Sequence, residues 1–149
     1  MASFTDGAAE PHSSIYNPHS EIYHDLHPRE IRLVRLVRGR WPDKISCQLH
    51  HAALANRPSY KALSYAWGSS RTTRHILLNG WQHFVTVNLE SALRRLRKTD
   101  SDLILWIDAL CINQSNSSER TKQVFIISHL LPPVPLLLSR LTKKGISYA

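Results

Sequence analysis

"LWIDALCINQ", Leu105 to Gln114, runs from an unbroken apolar stretch into an Asp, a Cys and an Asn-Gln pair. Extended upstream to "LILWID", the run reads as a strand covered on both faces, since a half-exposed strand would alternate polar and apolar residues. The polar residues after it mark a strand end opening into a loop. In open α/β sheets ligands gather beyond the carboxyl ends of strands, so Asp108 and its loop form the first candidate site. Asp108 also has a plainer role available, as an acceptor for backbone N–H groups of the loop it opens.

Downstream, "QSNSSER" is a loop and then a helix start, with Ser117 or Ser118 as the cap and Glu119 in the first turn. That helix is expected to continue through Val124 into Phe125 to Leu130. Upstream, Asn88 is expected to cap a helix from Leu89 to about Lys98, with Leu89, Ala92, Leu93 and Leu96 on one stripe. "HILLNGWQHFVTV" is a hairpin, because Asn79-Gly80 tolerates the two positive φ values of a type I′ turn. His75 and His83 are expected to face each other across it. "YKALSYAWG", Tyr60 to Gly68, reads as a buried strand that opens into a loop at Trp67 and Gly68. "ISCQLH" alternates as a half-buried strand. "IRLVRLV" suits a helix or a strand, and its neighbour favours a strand pair joined by a Gly39–Asp43 turn. The sum is an α/β domain with a mixed sheet and flanking helices.

The chain has 149 residues, enough for one domain. Residues 1–28 are rich in Ala, Ser, His and Pro without apolar periodicity, and are expected to be disordered. They resemble neither a secretory signal nor a transit peptide, and no apolar run is long enough for a membrane span. Cys47 and Cys111 sit in apolar, strand-like contexts and are expected to be reduced, which favours a cytoplasmic protein. Net charge is +8 with nine His, but the basic residues are dispersed and carry no nucleic-acid motif. Solvated faces explain them better than nucleic acid does. No His has partners at zinc-ligand spacing, so no metal site is expected.

"YKALSYAWG", "ILLNG", "VTVNLESALRRLR" and "LWIDALCINQSNSSER" with the following "QV" together resemble a heterokaryon incompatibility (HET) domain. With "IRLVRLVRG" and "ISCQLH" upstream, the resemblance covers about residues 31–124, and the assigned domain is 29–124. The residues that carry it are Leu63, Ser64, Tyr65, Trp67, Gly68, Asn79, Gly80, Asn88, Leu89, Trp106, Asp108, Cys111, Ile112, Asn113, Gln114, Glu119, Arg120 and Gln123. It implies a fungal module of non-self recognition that triggers programmed cell death through protein partners. It also implies a TIR-like α/β fold, because the family has been likened to that domain. Residues 125–149, with Pro132, Pro133 and Pro135, diverge from the family pattern. They are expected to be non-native sequence that leaves the domain incomplete at its C-terminus, and the chain is expected to be a fragment.

Some TIR domains cleave NAD, and that likeness makes NAD a possible substrate, with no resident cofactor expected. Such chemistry needs a carboxylate near the ribose to steady an oxocarbenium-like transition state, which makes Glu119 and Asp108 the catalytic candidates. The commoner role for Glu119 is that of a first-turn helix acid beside Arg120. Cys111 as a nucleophile would need a positioned base, and no His lies near it in sequence. Asn113 and Gln114 could bind a nucleotide edge or hold a loop. Tyr65 and Trp67 could stack on a base or pack in the core. Three functions therefore stand open: a signalling module, an NAD-cleaving hydrolase, and a basic nucleic-acid binder.

Overall fold

The computed structural model describes residues 18–129 and 136–139. In chain order come α1 (Pro18–Ile22), β1 (Glu30–Leu36), β2 (Ser46–Ala53), a 3-10 turn (Leu54–Asn56), β3 (Lys61–Tyr65), β4 (Thr73–Leu78) and β5 (Trp81–Thr86). There follow α2 (Val87–Leu96), β6 (Leu103–Trp106), α3 (Asp108–Cys111), α4 (Ser117–His129) and β7 (Leu136–Ser139). Among the described residues, seven strands form one mixed sheet in the order β5-β4-β2-β1-β6-β3-β7. Strands β6, β3 and β7 are parallel neighbours, while β1 runs antiparallel to both β2 and β6. The expected α/β class with a mixed sheet holds.

The β1–β2 pair forms as expected, with Leu36 opposite Cys47 and Glu30 opposite Ala53. Alternation then sends β1 side chains to both faces. Val34 and Leu36 join the main core with Cys47, Leu63, Ile76, Leu89, Leu93, Leu105 and Ile107. Ile31 and Leu33 join a second cluster with Tyr60, against which Ile126 of α4 packs. Covering both faces explains why the segment lacks a clean polar–apolar alternation. β3 is less buried than expected, since Lys61 and Ser64 are exposed.

Asn79 and Gly80 take φ values of 51° and 82°, as a type I′ turn demands. A two-residue turn pairs Leu78 with Trp81, and counting outward puts His75 opposite Phe84 and His83 opposite Ile76. The two histidines therefore do not face each other. The helix caps also sit elsewhere than expected. Thr86, the last residue of β5, accepts the Leu89 N–H at 3.2 Å and starts α2 two residues early. Asn116, rather than a serine, caps α4 by accepting the Glu119 N–H at 3.0 Å.

Of the segment expected to be disordered, residues 18–28 are ordered, with Ile22 and Tyr23 in the core, and residues 1–17 lie outside the described residues. Its apolar residues are few, but Ile22 at the end of α1 and Tyr23 just after it both turn inward. At the other end α4 continues past Val124 to His129, and β7 pairs with β3 from Ala62–Leu136 to Tyr65–Ser139. The prolines at 132, 133 and 135 lie outside the described residues.

Candidate functional site

The carboxyl ends of β6, β3 and β7 lie side by side, as their parallel pairing requires. The loop after β3 and the turn after β6 meet there. Leu63 is buried in β3, Ser64 is exposed, and Tyr65 and Trp67 stack with parallel rings 6.4 Å apart. Gly68 has φ +69°, and a Cβ on it would meet Asn88 Nδ2 at 2.4 Å. Asn88 thus does not cap its helix. Its amide donates to the Ala66 carbonyl at 2.9 Å and ties the Trp67 loop to α2.

Asp108 opens α3 and accepts the Ala109 N–H at 2.8 Å, the structural role open to a strand-end acid. Burial raises its pKa above the ordinary carboxylate value, and hydrogen bonds from Ala109 and the Trp67 indole offset part of that rise. Burial, and secondarily the charge of Asp108, raises the pKa of the Tyr65 hydroxyl. Trp67 is 48% exposed. The mouth of the sheet therefore offers one half-buried carboxyl beside an exposed indole. Gln114 belongs to its frame, donating through Nε2 to the Asp108 carbonyl at 2.9 Å.

Glu119 is elsewhere. Its carboxylate pairs with the guanidinium of Arg32, Nη2 lying 3.2 Å from Oε2 and Nη1 meeting Oε1. Oε1 also accepts the Asn113 N–H at 2.9 Å. Arg32, 1% exposed on β1, donates further to the carbonyls of Cys111 at 3.2 Å and His24 at 2.6 Å. Tyr23 stacks under the guanidinium at 5.2 Å and donates its hydroxyl to the Leu110 carbonyl at 3.0 Å. One ion pair thus joins the segment after α1, β1, α3, the Asn113 loop and α4. Buried charges need such partners, and Glu119 is bound up in supplying them.

Cys111 is fully buried, its thiol pKa pushed up to about 12 by burial, and its sulfur accepts the Ile107 N–H at 3.3 Å. That is the state of a buried apolar side chain, far from a thiolate nucleophile. Cys47 is likewise buried and free, its pKa pushed up to about 12. Ile112 is buried, Trp106 is half-buried in β6, and Asn113 uses its Oδ1 to accept the Ser115 N–H at 3.1 Å. Arg120 is exposed on α4, and Gln123 donates through Nε2 to the Glu30 carbonyl at 3.1 Å. Among the described residues no group of three or more His, Cys, Asp or Glu could hold a metal ion. Nor is any helix among them long and apolar enough to cross a membrane.

Arg94 of α2 and Arg97, its C-cap, also have structural partners. Arg94 donates to the carbonyls of Trp41 and Asp43 and to buried Glu90, and Arg97 donates to the carbonyls of Arg40, Trp41 and Lys44. They hold the turn between β1 and β2. Sequence reasoning missed Arg32 and Tyr23. The available signal was an Arg between Ile31 and Leu33 in a largely apolar strand, where a buried charge must find a partner.

A family model for the heterokaryon incompatibility protein (HET) matches residues 60–130. These residues belong to the HET family. The matched HET segment runs from the residue before β3 to the residue after α4, and so contains both the sheet mouth and Glu119. The chain is also similar to "Heterokaryon incompatibility protein 6, OR allele" of Neurospora crassa, with 34% identity over 67% of this chain. It spans only 15% of that protein's length. No solved structure matches the chain.

Proposed function

We propose that this HET chain is a cytoplasmic signalling module of fungal non-self recognition that leads to programmed cell death by contact with protein partners. The observation that carries the reading is the HET match over residues 60–130. Similarity to a protein named for heterokaryon incompatibility supports it. So does the placement of Glu119 and Cys111, whose reactive atoms are taken up by Arg32 and by burial. The test is induced expression of the chain in a filamentous fungus, with its level followed by immunoblot. Growth arrest and loss of viability are expected, and unimpaired growth at a verified protein level would overturn the reading.

A second reading, NAD cleavage, is favoured by one observation. Asp108 is half-buried with a raised pKa at the sheet mouth beside exposed Trp67, an environment suited to an acid–base group. Asp108 alone, without Glu119, would then carry the chemistry.

A further inference from the structure

The β4–β5 hairpin ends the sheet, and β4 is the one strand neighbour of β5 among the described residues. The register decides which backbone groups of β5 stay open. The N–H groups of Leu77 and Asn79 point to β2, donating to the carbonyls of Ile45 and Cys47 at 2.9 Å each. The Val87 N–H donates to the Thr72 carbonyl at 3.3 Å. Leu78, Ile76 and Arg74 therefore bond to β5, through Trp81, His83 and Val85 opposite them. Gln82 and Phe84 aim their N–H and C=O groups the other way, at the free edge, and both residues are exposed.

Edge strands are commonly guarded against pairing by Lys, Pro, a bulge or an inward charge. "WQHFVT" has no charged residue and no proline, and its register with β4 runs without a bulge from Thr73–Thr86 to Leu78–Trp81. A net charge of +8 opposes self-association of this chain in general. The hairpin is the exception. From Thr73 to Thr86 its one charged residue is Arg74, and Arg74 is paired with Glu90 at 3.1 Å.

Phe84 is 65% exposed and meets His75 edge-on, with ring centroids 6.1 Å apart. A strand that completes this edge must be uncharged and must cover the rest of that ring. A second β5, antiparallel about a two-fold axis at Phe84, meets both demands. It sets Phe84 opposite Phe84 in a hydrogen-bonded pair, with the two rings on one face of the joined sheet. Gln82 then falls opposite Thr86. Helix α2 packs on the other face, with Leu89 and Leu93 in the core beside Ile76, Leu78 and Val85, so it leaves the side of Phe84 clear.

We propose that two copies of this chain associate edge to edge through β5, joining their sheets into one, with Phe84 packed against its own counterpart across a two-fold axis.

Sedimentation velocity of the purified chain, from low micromolar to several hundred micromolar, is expected to pass from the 17.1 kDa monomer to a species of twice that mass. Phe84→Lys and Phe84→Glu, each alone, are expected to weaken dimerisation by about tenfold or more, since each sets like charges opposite one another. Mixing the two in equal amounts should restore dimers, because position 84 of one copy faces position 84 of the other. Phe84 is exposed, so both variants should keep the wild-type thermal midpoint at low concentration. In residue-resolved hydrogen exchange the Phe84 amide should slow as concentration rises, while those of His83 and Val85, already bonded to β4, should not. A monomer throughout the range would overturn the proposal and leave the edge to a strand of another protein. So would a dimer whose Phe84 amide stays unprotected, a mixture of the two variants that stays monomeric, or open-ended aggregation without a dimer.

Discussion

Removing the Glu119 carboxylate would leave Arg32 charged, buried and short of its partner. Glu119→Ala is therefore expected to lower the unfolding free energy by about 3–5 kcal/mol in urea titrations. The double variant Arg32→Met/Glu119→Leu is expected to lose less than the sum of the single changes, because it removes both charges from the interior. An unchanged midpoint in E119A would contradict the structural role assigned here. Two histidines make a separate prediction. Burial lowers the pKa of His83 and of His50 below the ordinary imidazole value of 6.5, with His19 adding to the lowering at His83 and Arg35 and His51 at His50. Their folded pKa values lie below their unfolded ones, so the unfolded chain takes up more protons in that window. Stability is then full above about pH 6.5 and falls as pH drops below it. His83→Gln should flatten the fall in thermal midpoint, and an identical pH profile would count against it.

Among the elements, the β4–β5 hairpin rests on its turn. Gly80 has φ 82° and open space where a Cβ would stand, so Gly80→Ala isolates the backbone term at about 1–2 kcal/mol of destabilisation. Calorimetry checks it, and no change in midpoint would mean the turn relaxes freely. Gly68→Ala is expected to act differently, pushing Asn88 off the Ala66 carbonyl. Proteolysis should then cut faster within residues 66–71 while the sheet core stays protected. Local elements were legible in the sequence where their causes are local. The Asn79-Gly80 turn and the α2 stripe of Leu89, Ala92 and Leu93 announce themselves within a few residues. The α2 cap was misplaced because Thr86 belongs at once to a strand and a helix, and strand pattern masked it. Arg32 and Glu119 lie 87 residues apart, and nothing in either neighbourhood names the other. The strand order was likewise out of reach, since the β2–β4 and β3–β6 pairings depend on distant partners.

For the whole molecule, the motif that identifies the family is also the piece that ties the fold together. "LWIDALCINQ" contributes the end of β6, all of α3 and the Asn113 N–H that Glu119 accepts, so its polar residues are largely consumed by structure. Asp108 is legible from sequence as a strand-end residue, whereas its half-buried state beside Trp67 depends on the fold that brings the β3 loop to it. The proposed signalling by contact and the alternative of NAD cleavage at Asp108 make opposite predictions for one reaction. The direct measurement is nicotinamide released from NAD incubated with the purified chain, followed by chromatography beside a protein-free control. The account predicts release no faster than in the control. Release well above it, abolished by Asp108→Asn in a variant that keeps the wild-type thermal midpoint, would contradict it.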